Sequence, residues 1–272
     1  MKITRVAGAL GAEIGGVDLA RLSDNEFGQI AHAFAEHEVI FFRDQQMTPE
    51  QHKAFGRRFG PLNIHPYVRA MDGHPEIMEV IKEPSDKVNF GGGWHSDMSF
   101  LERPSIGSIL HAIEVPSSGG DTLFASMTAA FAALSEGMKG TLRTLKAVHS
   151  ANREYAAGGA STAKRGSMVV AEAEGLAGEF VHPVVTTHPE TGREALYVNP
   201  AFTLRIDGWK ERESKPLLEY LFQHARYEAF TCRFRWAAGS VAMWDNRSVW
   251  HFALNDYPGQ RRHMRRVTVD AA

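Results

Sequence analysis

Short apolar stretches recur along this chain, and few of them keep helical spacing for long. The run Glu38-Val39-Ile40-Phe41-Phe42 predicts a buried strand. Residues 76–82, 108–113, 122–125, 181–186, 195–199, 231–236, 240–244 and 265–269 read as further strands. Residues 3–14 carry strand-type residues broken by glycines, and residues 94–100 read as extended. Helices are fewer. Ser23, with Glu26 three residues on, opens one that runs through His37. Thr48-Pro49 opens a second, bearing Phe55 and Phe59. Residues 126–145 are helical with breaks near Gly137 and Gly140, and residues 214–225 form another helix. Residues 151–177, rich in Ala, Gly and Ser, read as an insert or lid. So many strands at short spacing, with little βαβ alternation, predict a mainly β barrel or sandwich with helical additions. No repeat or linker divides residues 1–272, so one domain is expected.

Charge and composition remove some functions. The 30 basic and 32 acidic residues nearly cancel, which leaves no global field to recruit nucleic acid or an anionic membrane. No apolar run is long enough to span a bilayer, and the N-terminal residues lack a signal-peptide pattern. The single cysteine, Cys232, cannot form an internal disulfide and reads as a small buried residue. A cytoplasmic protein is expected, acting on a small molecule and assembling as a homo-oligomer (dimer or tetramer).

The sharpest local feature is Trp94-His95-Ser96-Asp97. On extended backbone, positions i and i+2 share a face, so His95 and Asp97 would present an imidazole beside a carboxylate. His-x-Asp alone is a weak signal among 13 histidines, and an ordinary surface pair is the plain alternative. A glycine triplet before the motif, Trp94 and Phe100 flanking it, and His251 near the C-terminus favour a metal. With His251, the set makes a 2-His-1-carboxylate triad, which leaves coordination positions open. Apart from His65, the other histidines lack a paired donor or fall in turns, on a helix surface or in the core. Cys232 and these histidines are left to structural roles.

Near the end comes Arg261-Arg262-His263-Met264-Arg265-Arg266. Arginine is the natural bidentate partner of a carboxylate. Arg262 and Arg266 lie four apart, so on a strand both can face one cavity, while Arg261 and Arg265 suit a solvated edge strand. This combination, with Gly119-Gly120-Asp121-Thr122 behind the first motif and Trp244-Asp245-Asn246 leading to His251, resembles the taurine dioxygenase and 2,4-D dioxygenase family. The resemblance runs from Gly11-Ala12-Glu13-Ile14 to Arg266 and implies a double-stranded β-helix, or jelly roll. It implies that His95, Asp97 and His251 bind Fe(II), and that Arg262 and Thr122 hold the far carboxylate of the co-substrate 2-oxoglutarate. It also implies an O2-dependent reaction that releases succinate and CO2 while hydroxylating a substrate carbon. A carbon hydroxylated beside a heteroatom fragments.

For the substrate, the resemblance implies an anionic head group on His65 and Arg266, with Phe202 as an aromatic wall. Two departures from the taurine enzymes matter. Gly91 replaces an asparagine, and Ala151 stands near a phenylalanine position. Both predict a roomier pocket, suited to a larger sulfonate or an aryloxyalkanoate-type carboxylate rather than taurine. Residues 214–218 and 230–233 also resemble the aryloxypropionate-cleaving branch. A zinc hydrolase could use the same triad, but it has no need of a dicarboxylate anchor. A non-catalytic binding sandwich has no need of the triad.

Overall fold

The computed structural model describes residues 1–155 and 178–272. The chain opens with β1 (Lys2–Arg5), β2 (Ala12–Gly15), α1 (Asp24–His37), β3 (Val39–Phe42) and α2 (Pro49–Arg57). Both helices start on capping boxes: Ser23 with Glu26, and Thr48 with Gln51. Then follow β4 (Ala70–Met71), β5 (His74–Lys82), β6 (Gly107–Glu114), β7 (Thr122–Ser126), α3 (Met127–Ala132), α4 (Glu136–Leu142), β8 (Lys146–His149) and α5 (Asn152–Tyr155). After the undescribed stretch come β9 (Phe180–Pro183), β10 (Val185–Thr187), β11 (Glu194–Leu196), β12 (Thr203–Ile206) and α6 (Glu211–His224). The C-terminal strands are β13 (Thr231–Phe234), β14 (Val241–Asp245), β15 (Val249–Ala253) and β16 (Arg262–Val269).

An eight-stranded sheet in the order β1-β2-β3-β14-β6-β16-β5-β4 faces a three-stranded sheet, β13-β7-β15. This is the jelly roll expected from the sequence, with its helices packed outside. Strand parity sorts the core. Val39 and Phe41 of β3 join Phe124 of β7 and Met264 of β16 between the sheets. The intervening Ile40 and Phe42 turn to the other face and pack with Ile30, Phe34 and Phe55 of α1 and α2. A third cluster seats α3 and α6 against Trp250 of β15.

Two expectations need correction. Residues 94–100 are not one strand: His95 pairs only as an isolated bridge with His251, and the chain turns at once, with Met98 at φ 59°. β16 is not an edge strand, since β6 and β5 flank it. Arg261 and Arg265 sit on its outward side, but their charges are spent on Glu83, Glu114 and Glu79. The insert expected over 151–177 lies outside the described residues, save its first turn in α5. Cys232 is buried as expected, and burial pushes its thiol up to about 12. Among the described residues, no helix is long and apolar enough to cross a membrane.

Candidate active site

The site lies between the two sheets. The His95 amide donates to the His251 carbonyl at 3.2 Å, and the His251 amide to the His95 carbonyl at 2.8 Å. That bridge pins the His-x-Asp turn to β15. His95, Asp97 and His251 are all buried, and each offers a ligand atom within 4.8 Å of the others. His95 Nε2 stands 3.6 Å from Asp97 Oδ1. His95 Nδ1 lies 2.8 Å from the Gly93 carbonyl, which places the proton on Nδ1 and leaves the Nε2 lone pair free. Burial, reinforced by His95, holds the His251 pKa well below the ordinary histidine value. Among the described residues its Nδ1 has no partner. A neutral imidazole is the form that ligates metal.

Asp97 is held from two sides. Ser108 on β6 donates to Oδ2 at 2.8 Å, and Arg266 Nη1 donates to both carboxylate oxygens at 3.0 Å. Burial opposes ionisation of Asp97, but Arg266, His251 and His95 outweigh it and keep the carboxyl well below its usual range. Two imidazole nitrogens and one carboxylate are the donors of a 2-His-1-carboxylate site, so these residues fit a divalent metal of the first transition row. Gly91 makes room for this cluster. It sits at φ 74°, and a Cβ there would come within 3.3 Å of His95 Cε1.

Strand parity brings Arg262 and Arg266 to the same interior face, as the sequence predicted: both are buried, while His263 and Arg265 between them are partly exposed. Among the described residues, only Arg266 of the two has a carboxylate partner. Arg262 is 4% exposed, and among the described residues its Nε and Nη2 have no hydrogen-bond partner. Burial lowers its pKa, offset in part by Tyr257 and Asp121. A buried guanidinium with idle donors is costly unless an anion meets it. Thr122 reaches the same place through a tryptophan. Trp236 Nε1 donates to Thr122 Oγ1 at 2.9 Å, and the Arg262 guanidinium lies 5.7 Å from the Trp236 ring. The Thr122 hydroxyl proton therefore remains to be donated. The turn before Thr122 needs its glycines, since Gly120 holds φ 71° with the Tyr257 ring 3.3 Å from where its Cβ would be.

His65 Nδ1 accepts from the amides of Tyr67 and Val68 at 3.2 and 3.1 Å, so its proton sits on Nε2. Burial, then the proximity of Arg266, push it down to about 3, and it stays a neutral donor. Phe202 is buried, with its ring 6.4 Å from that of His95 and 4.7 Å from that of Phe100. The space expected beside Ala151 is filled. Ala151 is itself fully buried, and Tyr155, one helical turn on, stacks on Tyr67 at 5.0 Å and approaches His65 at 5.7 Å. Reading Ala151 in isolation missed this ring. Only the Gly91 side of the expected enlargement remains. The sequence reading also passed over Ser108 and Trp236, because neither stands near a recognisable motif.

Fold and site together define a jelly-roll oxygenase scaffold with a His-Asp-His cluster and a buried arginine beyond it. The model of the taurine catabolism dioxygenase TauD, TfdA family matches residues 2–268, and the chain belongs to that family. It is a 2-oxoglutarate-dependent dioxygenase, an oxidoreductase. An alkylsulfatase from Acinetobacter baylyi is 35% identical over 278 residues, covering 99% of this chain and 84% of the relative. An alpha-ketoglutarate-dependent sulfate ester dioxygenase from Pseudomonas putida is 35% identical over 271 residues, covering 97% and 87%. The crystal structure of a taurine dioxygenase from Burkholderia xenovorans superposes with a TM-score of 0.81 at 35% identity, covering 100% of this chain and 91% of that one.

Proposed function

We propose that this enzyme uses Fe(II), 2-oxoglutarate and O2 to hydroxylate a carbon beside the head group of an organic anion larger than taurine, with a sulfonate or sulfate-ester head favoured. Succinate and CO2 leave, and a product hydroxylated next to a heteroatom fragments. The observation that carries the reading is the pair of arginines on one face of β16: one is idle beside Thr122, the other is joined to the metal-cluster carboxylate.

His95, Asp97 and His251 would hold the iron, which supplies oxygen activation when bound. Everything else falls to side chains. Arg262 and the Thr122 hydroxyl orient 2-oxoglutarate by its far carboxylate, so that its keto-acid end reaches the metal cluster. Arg266 contacts Asp97 through Nη1, while its Nε has no partner among the described residues. A head group on Arg266 is thereby kept close to the cluster, and His65 Nε2–H is a second donor for it. Phe202, Tyr155 and Tyr67 supply an apolar wall that excludes water and packs a hydrocarbon body. Gly91 leaves room for that body next to His95. The carboxylate alternative, an aryloxyalkanoate, uses the same arginine and the same wall. Its support is the aromatic character of that wall.

A panel of substrates followed by succinate release tests this reading. Alkyl and aryl sulfonates and sulfate esters should give higher kcat/KM than taurine. A taurine optimum would overturn the size argument from Gly91, and a preference for neutral compounds would overturn the assignment of Arg266.

A further inference from the structure

Arg262 is not the only idle cation at its end of the site. In the ladder between β16 and β5, Arg266 faces Met78, Met264 faces Val80 and Arg262 faces Lys82. Side chains directly opposite in a ladder project to the same side of the sheet. Met78 and Val80 belong to the core cluster between the sheets, so Lys82, two residues on from Val80, projects into that same interior. Lys82 is 4% exposed. Among the described residues it makes no hydrogen bond or ion pair, and its Nζ rests 4.5 Å from the centroid of the Tyr257 ring.

The charges at this end do not balance. Arg262 and Lys82 are both buried, and among the described residues neither has a carboxylate partner. Asp121, an acid that acts on Arg262 through space, is already engaged by Arg233 at 2.7 Å. Contact with an aromatic face compensates an ammonium only in part, and a buried charge left without a counter-ion is strongly unfavourable. Two adjacent cations with free donors make a receptor for an anionic group that can accept from both at once.

We propose that Lys82 is a second anchor for the far carboxylate of 2-oxoglutarate, acting beside Arg262 and making the co-substrate site selective for keto acids with a second carboxylate. This rests on the dioxygenase reading above and adds a residue to it. The guanidinium fork and the ammonium would take different lone pairs of one carboxylate, and Tyr257 would hold the lysine stem and head in place.

Calorimetric titration of the Mn(II)-loaded full-length protein tests the proposal without turnover. The ligands are 2-oxoglutarate and 2-oxopentanoate, which keeps the keto-acid end and lacks the far carboxylate. Lys82→Met should weaken 2-oxoglutarate binding on the order of ten- to a hundred-fold and leave 2-oxopentanoate binding unchanged. Lys82→Arg should retain most of the affinity. Should Lys82→Met fail to fold, Lys82→Gln gives the same comparison. Unchanged 2-oxoglutarate affinity in Lys82→Met, or an equal loss for both keto acids, would overturn the role of Lys82 while leaving the dioxygenase reading intact. Failure of the parent protein to bind 2-oxoglutarate at all would remove both.

Discussion

The Ser108 hydroxyl donates a 2.8 Å hydrogen bond to Oδ2 of Asp97, so that Oδ1 is the oxygen turned toward His95 Nε2. Asn246 Nδ2 donates to Ser108 in turn at 3.3 Å, which makes a relay from the β14–β15 turn to the metal-cluster carboxylate. Such outer contacts fix the orientation of a ligand, and losing one weakens metal binding by roughly ten- to a hundred-fold. Ser108→Ala should do this with little loss of fold, as read by Mn(II) or Co(II) titration beside thermal melts. A variant that melts lower yet binds metal like the parent would reduce Ser108 to a packing role.

Arg262→Ala should raise the 2-oxoglutarate concentration needed for half-maximal activity by roughly ten-fold or more, since a charge-assisted contact to a buried anion is lost. Lysine should rescue it only in part, because an ammonium cannot reproduce the fork. The KM for the organic substrate should stay near the parent's. If 2-oxoglutarate titrates identically in parent and variant, the anchor lies elsewhere.

Arg266→Met is expected to act on the other ligand. On the proposed function Arg266 holds the head group, so its removal should raise substrate KM by roughly ten-fold or more. Succinate should still form, but less of it should be matched by hydroxylated product, because the substrate carbon is no longer held in place. Comparing succinate with product in one reaction reads this directly. Tight coupling at unchanged KM would exclude Arg266 from substrate binding.

Several buried histidines make the fold acid-labile. His52 is 1% exposed, and burial, then His111, lower its pKa from 6.5 to about 3, opposed in part by a contact with the Ile109 backbone. A depressed histidine contributes stability that is fully present above its unfolded value and is lost as pH falls toward its folded value. For His52 that window runs from pH 6.5 down to about 3. By pH 4.5 the loss should reach about 3 kcal/mol from this one group. Denaturant unfolding at a series of pH values should show His52→Leu with a shallower decline than the parent. Parallel curves would mean that His52 is not buried neutral.

The sequence carried the reaction centre further than it carried the pocket. The alternation along β16 already placed Arg262 and Arg266 on one side, because period-2 parity needs no knowledge of neighbouring strands. The His-Asp-His cluster was legible as a motif, although the stretch holding it turns at Met98 rather than running on as a strand. Lys82 and Ser108 were invisible for a different reason. Their importance comes from register, Lys82 against Arg262 and β6 against Asp97, and register depends on strand order in the eight-stranded sheet. The Arg266–Asp97 pair joins residues separated by 169 positions, and nothing local to either one announces it. Tyr155 carries no signal in the sequence, because its place beside Tyr67 and His65 depends on the turn of α5 that follows Ala151.

In the proposed function, His95, Asp97, His251 and Arg262 together hold iron and 2-oxoglutarate in one site. Anaerobic addition of Fe(II) and 2-oxoglutarate to the protein, followed by visible absorbance, tests it most directly. The parent should develop a metal-to-ligand charge-transfer band that needs both additions. His95→Ala, Asp97→Ala and His251→Ala should each lose the band while keeping the parent's circular dichroism, and Arg262→Ala should require more 2-oxoglutarate to reach it. A parent protein that stays colourless with both present, or a band that survives loss of any of the three cluster residues, would contradict the account.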